Sequence, residues 1–138
     1  MKNFSVIDPT GDESQVSSLA YNLVTNHRTD VFYANLEMPY TQVVDKFYAM
    51  HSSNPRFRAL GYAPLTYAKV TSGELTPEEE KFWKLVITDF STNKEYGSLH
   101  FWSPIEDVSV ADIREKAEGL GLVIIDHPEL ALDTPREV

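Results

Sequence analysis

The chain of 138 residues contains no cysteine, so neither disulfide bonds nor thiolate-bound zinc can hold its fold together. A chain of this length can bury roughly two thirds of the surface that its unfolded form exposes. The apolar fraction of 42% supplies a packed core and argues against wholesale disorder. The sequence therefore predicts a fold that is stabilised by its hydrophobic core alone.

The domain organisation predicted from the sequence is simple. No internal repeat, low-complexity tract or linker interrupts residues 1–138, which we expect to form a single domain. Residues 127–138 contain two prolines and no sustained period, and we expect them to be a loose C-terminal tail. Residues 1–13 lack the apolar stretch of a secretory signal, and no apolar run approaches the ~20 residues of a membrane span. We expect a cytoplasmic protein that does not enter a membrane.

Hydrophobic spacing predicts most of the elements outside the middle of the chain. Apolar residues at helical spacing predict a helix over residues 14–27, and Pro39 suits the first turn of a second helix. Between them, residues 30–36 carry apolar side chains on both faces, which is typical of an interior strand. A capping-box pattern starting at Ser109 opens a third helix, and residues 122–126 form a final buried strand.

Residues 56–103 are predicted to form an antiparallel meander. Its strands are expected at residues 65–71, 83–90 and 96–102, with a turn at 91–94. Residues 76–80, TPEEE, are a strong helix start, so a helix running on through Phe90 is the alternative. The hairpin is preferred because the later part of the run favours a strand that can pair with the next one.

These elements predict an α+β fold in the order α-β-α-β-β-β-α-β. About three helices pack on one face of a mostly antiparallel sheet, in which the three-stranded meander is flanked by further strands.

No catalytic, metal or cofactor motif is present in the sequence. The glycines lie in no phosphate-binding or dinucleotide-binding pattern, and adjacent acids in loops do not form a carboxylate pair across a cleft. No two of the four histidines have the short spacing in sequence at which a pair on one helix or strand could bind a metal ion. His27 and His51 fall near the carboxyl ends of helices, where the dipole favours a cation and the role is structural. We therefore expect no metal and no cofactor, and catalytic activity is not predicted.

Five residues are candidates for ligand or partner binding. Tyr96, His100 and Trp102 alternate along one predicted strand, whose face either lines a groove or is simply solvated. Arg56 and Arg58 would share a face if they lie on a strand, and could then hold a phosphate or a carboxylate. Pairing of these arginines with the many acids of the chain is the preferred interpretation.

Asp126 and His127 follow the last predicted strand. In parallel sheets, binding sites gather at the carboxyl ends of strands. A mostly antiparallel sheet gives that rule little force, so a plain exit turn is the preferred interpretation.

The charge and the aromatic content suggest a function. The net charge is −9, and residues 61–138 carry −8 of it. Such a charge repels the phosphate backbone of nucleic acids and attracts basic surfaces. The aromatic fraction of 12% exceeds what one small core needs, and surplus tyrosine and tryptophan are typical of interfaces.

The leading hypothesis is a small acidic non-enzymatic protein-binding domain, of the inhibitor or accessory-subunit type, whose partner has a basic surface. The alternative is a small-ligand-binding domain or small enzyme, with a pocket on the His100 strand face and Arg56 or Arg58 in it. The sequence leaves the oligomeric state open.

Overall fold

A computed structural model of the chain describes residues 6–7, 13–36, 38–103, 109–117 and 122–126. In chain order, the elements are β1 (Val6–Ile7), α1 (Glu13–Asn26), β2 (Val31–Asn35), α2 (Tyr40–His51), α3 (Pro55–Ala59), α4 (Tyr67–Ser72), α5 (Pro77–Thr92), β3 (Leu99–Trp102), α6 (Val110–Lys116) and β4 (Leu122–Asp126). The chain divides into two compact units: unit 1 comprises Met1–Val43 and Tyr96–Val138, and unit 2 comprises Val44–Glu95. Whether they amount to one domain stays a prediction.

Unit 1 is built on a parallel sheet. Its described strands lie in the order β1-β4-β2-β3, and every neighbouring pair is parallel. In the centre, Val31 of β2 lies opposite Leu99 of β3 on one side and Leu122 of β4 on the other. All five residues of β2 are buried, which confirms the predicted interior strand.

Both faces of this sheet carry core residues. Phe32 and Ala34 of β2 share one face with Val123 and Ile125 of β4. Helix α6 packs there through Ile113 and its C-cap residue Ala117. Val31, Tyr33 and Ile124 point to the opposite face, because side chains alternate along a strand, and they are fully buried as well. Helix α1 packs against β2 and β4.

Unit 2 is helical and has a core of its own. One cluster of this core consists of the buried residues Phe57, Leu65, Phe82 and Val86, with Tyr48, Val70, Leu75 and Trp83 packed against them. The buried hydroxyl of Ser52 accepts a hydrogen bond from the Leu65 backbone N–H at 2.8 Å, which ties the loop before α4 to the end of α2.

The chain is α+β as predicted, but the predicted sheet and the predicted number of helices are wrong. The described sheet is parallel rather than mostly antiparallel, and the described residues form six helices rather than about three. The error lies in the predicted meander over residues 56–103. Its first two strands, at 65–71 and 83–90, fall in or beside helices α4 and α5, and its third contains β3, which pairs in parallel with β2.

The amino end of α5 explains why the hairpin prediction fails. Thr76 caps the helix by accepting from the Glu79 N–H at 3.2 Å, and the Glu79 carboxylate accepts from the Thr76 N–H at 3.0 Å. Pro77 occupies the first turn, and the acids at 78–80 complement the helix dipole. A complete capping box outweighs the modest strand preference of the segment that follows it.

The helices and strands predicted outside the meander are confirmed. Helices α1 and α2 and strands β2 and β4 lie where hydrophobic spacing placed them, within a residue or two. The capping box of α6 is complete, because Ser109 and Asp112 bond each other's backbone N–H groups at 3.0 Å. The predicted tail at 127–138 lies outside the described residues.

Candidate functional site

The candidate residues on the predicted strand face belong to unit 1. His100 and Trp102 lie on β3, and Tyr96 precedes this strand and is half-buried. Trp102 packs against the core, with its ring centroid 6.0 Å from that of Phe32, and the Lys116 ammonium lies 5.9 Å from the Trp102 centroid. Of the three candidates only His100 is exposed.

Arg56 and Arg58 belong to unit 2 and lie on the short helix α3 rather than on a strand. Residues two apart on a helix do not share a face, so the bidentate arrangement expected from a strand is lost. The Arg56 Nη1 lies 3.0 and 3.1 Å from the two carboxylate oxygens of Asp89. This is the pairing with nearby acids that the sequence favoured for Arg56, whereas Arg58 is exposed and has no ion pair among the described residues.

A buried histidine and an aspartate form a polar cluster in unit 2. The His51 side chain is fully buried, and its Nε2 lies 2.7 Å from the Asp89 Oδ2. The Asn93 amide donates to the Asp89 Oδ1 at 3.1 Å. The rings of Phe57 and Phe90 lie 5.2 and 4.9 Å from the imidazole, centroid to centroid. Because aromatic rings enclose the imidazole, the cluster organises the packing of unit 2 rather than presenting a reactive group to solvent.

The surroundings of His51 set its protonation state. Burial lowers the pKa of His51 below its usual value, while the hydrogen bond and the negative charge of Asp89 raise it, and the charge of Arg56 lowers it again. The net effect is a lowered pKa. His51 is therefore neutral at neutral pH, and its Nε2–H donates to the Asp89 carboxylate.

This lowered pKa predicts acid sensitivity. In the unfolded chain His51 regains its ordinary pKa of about 6.5, so the unfolded state binds more protons just below that pH. The free energy of unfolding should be fully developed above pH 6.5 and should fall as the pH drops towards the folded-state pKa. Urea unfolding between pH 7.5 and pH 5 measures this fall.

The variant His51→Gln tests whether this histidine causes the fall. We expect it to flatten the dependence of stability on pH. If the free energy of unfolding instead increased as the pH was lowered from 7.5 to 5, the effect of Asp89 on the His51 pKa would outweigh that of burial, which would contradict the prediction.

The carboxyl ends of the parallel strands lie at the same edge of the sheet. A polar residue is the last residue of β2 and of β4, and another directly follows β3. Asn35 ends β2, lies opposite Asp126 of β4, and is buried. The Asn35 Oδ1 accepts from the Met38 N–H at 2.7 Å. Ser103 follows β3, and its buried hydroxyl oxygen has no hydrogen-bond partner among the described residues. The parallel sheet thus removes the reason for interpreting Asp126 as a plain exit turn, while His127 lies outside the described residues.

No three acidic or histidine side chains in the described ranges cluster in a way that could hold a metal ion. No helix among the described residues is long and apolar enough to cross a membrane.

No protein-family model matches the sequence, and no curated protein matches it.

Proposed function

We propose that the chain is an acidic protein-binding domain, of the inhibitor or accessory-subunit type, whose unit 1 contacts a partner with a basic surface. The observation that carries the proposal is the division of charge between the units. The residues of unit 1 include fourteen acids and five bases, a net charge of −9. Unit 2 contains seven of each and is neutral.

The two units divide the charge more sharply than the linear sequence does. The acidic region defined by sequence position, residues 61–138, includes residues 61–95, which belong to neutral unit 2. A charge concentrated on one unit speeds the encounter with an oppositely charged surface and orients it. The Debye length of about 8 Å at physiological salt makes such steering sensitive to ionic strength. The proposal therefore assigns recognition to unit 1.

Two matched charge reversals test this assignment. Glu115 is exposed on α6 in unit 1, and Glu74 is exposed between α4 and α5 in unit 2. Glu115→Lys and Glu74→Lys change the net charge of the whole chain equally. With a fluorescein-labelled peptide of alternating lysine and valine as the basic probe, we expect Glu115→Lys to weaken binding about three- to tenfold at low salt, as single exposed charge contacts do. Glu74→Lys should change it less than about twofold, because it lies outside unit 1.

Fluorescence anisotropy titrations at 20 and 150 mM salt measure both effects. Equal losses in the two variants would show that only total charge matters. Binding that is unaffected by salt would remove the electrostatic basis of the proposal.

A further inference from the structure

Strand β3 is an edge strand of the sheet that the described strands form. It pairs with β2 through four consecutive residues, and no described strand lies along its other edge. Natural sheets guard such edges with lysine, proline, inward-pointing charge or bulges, since a free edge is a template for another strand. The four residues of β3, LHFW, include no lysine, proline or acid, and their pairing with β2 runs without a bulge.

The hydrogen bonds at the start of β3 show which backbone groups face outwards. The Val31 N–H donates to the Ser98 carbonyl at 2.8 Å, and the Ser98 N–H donates to the Asp30 Oδ1 at 2.8 Å. The backbone groups of Ser98 therefore face the side of β2. Because these groups alternate in direction along a strand, those of His100 also face β2, whereas the N–H and C=O of Leu99 point to the outer edge.

We infer that an extended basic segment of the partner adds to the sheet as a further strand along the outer edge of β3, with its backbone bonded at Leu99. The inference rests on the proposed function, because the acidity of unit 1 specifies the partner's charge. Strand addition lets main-chain hydrogen bonds supply affinity while side chains supply specificity. The exposed imidazole of His100 lies on this strand and is available for a cross-strand contact.

The first test compares two peptides of equal charge. One alternates lysine and valine over eight residues, and the other has the same sequence with every backbone amide N-methylated. Strand addition requires the backbone donors, so we expect the unmodified peptide to bind at least about tenfold more tightly. Equal, salt-sensitive binding of both peptides would overturn strand addition and leave the proposed function standing. If neither peptide bound, or if the binding affinity did not change with salt concentration, the proposed function itself would be overturned.

The second test is amide hydrogen exchange of the full chain with and without the unmodified peptide. The Leu99 N–H should exchange at least about tenfold more slowly in the complex, because it becomes hydrogen-bonded. The His100 N–H faces β2 already and is the internal control, with little change expected. A Leu99 N–H that is unaffected by the peptide, or is already protected in the free chain, would overturn the inference.

Discussion

Replacing Gly97 by alanine should lower the free energy of unfolding by more than about 2 kcal/mol, because the added methyl group has no room. An ideal Cβ at Gly97 would lie 2.1 Å from the Thr29 carbonyl oxygen and 2.7 Å from the Arg28 carbonyl carbon. Both atoms are backbone, so no side chain can rotate away. The Gly97 N–H is also bonded to the Val24 carbonyl at 2.9 Å, which holds the close approach in place.

Gly61→Ala is the matched control for Gly97→Ala. Gly61 has a φ of +91° and no atom within 4 Å of an added Cβ, so its replacement costs only backbone strain, about 1 kcal/mol. Urea unfolding of both variants separates the steric effect from the conformational one. Equal costs would contradict the close packing of Gly97 against the segment that leads into β2.

Replacing Phe82 by alanine should destabilise unit 2 by about 3–5 kcal/mol, the usual cost of emptying an aromatic core position. Phe82 is 3% exposed and packs edge-on against Phe57 at 5.3 Å between centroids. On its other side it stacks against Tyr62 at 4.4 Å, with the rings 3° from parallel. Its removal therefore leaves a cavity and unpairs two aromatic contacts.

Leu85→Ala is the control, because Leu85 is on the same helix but is 39% exposed. We expect Leu85→Ala to cost less than about 1.5 kcal/mol, since little apolar surface is returned to water. If residues 83–90 formed the strand expected from the sequence, Leu85 would share a face with Trp83 and Ile87 and would matter more. A cost at Leu85 equal to that at Phe82 would contradict the helix.

Local patterns predicted local structure well and strand pairing poorly. The capping box at Ser109 and the continuous apolar runs at β2 and β4 each indicate one element, and each was correct. The signals at 76–90 conflict, since a strong helix start precedes residues with strand preference, and the cap prevailed. The parallel pairing of β2 with β3 joins segments separated by the whole of unit 2, and no local pattern reports such a pairing.

The polar clusters were missed for related reasons. His51 and Asp89 are far apart in the chain, and assigning Asp89 to a strand hid that its helix carries it to the end of α2. Asn35, Ser103 and Asp126 each stand at the carboxyl end of a strand, a pattern that is visible in the sequence. Its meaning depends on the strands being parallel, so the antiparallel prediction concealed it.

The claim that unit 1 carries partner binding is tested most directly by NMR. The lysine–valine peptide is titrated into the ¹⁵N-labelled full chain, and the amide shifts are mapped onto both units. The shifts should concentrate in unit 1, at β3 and α6, and should weaken together as salt is raised. Unit 2 offers a rival acidic cluster at Glu78, Glu79 and Glu80 in the first turn of α5. Shifts confined to this cluster, with β3 and α6 unchanged, would contradict the assignment of binding to unit 1.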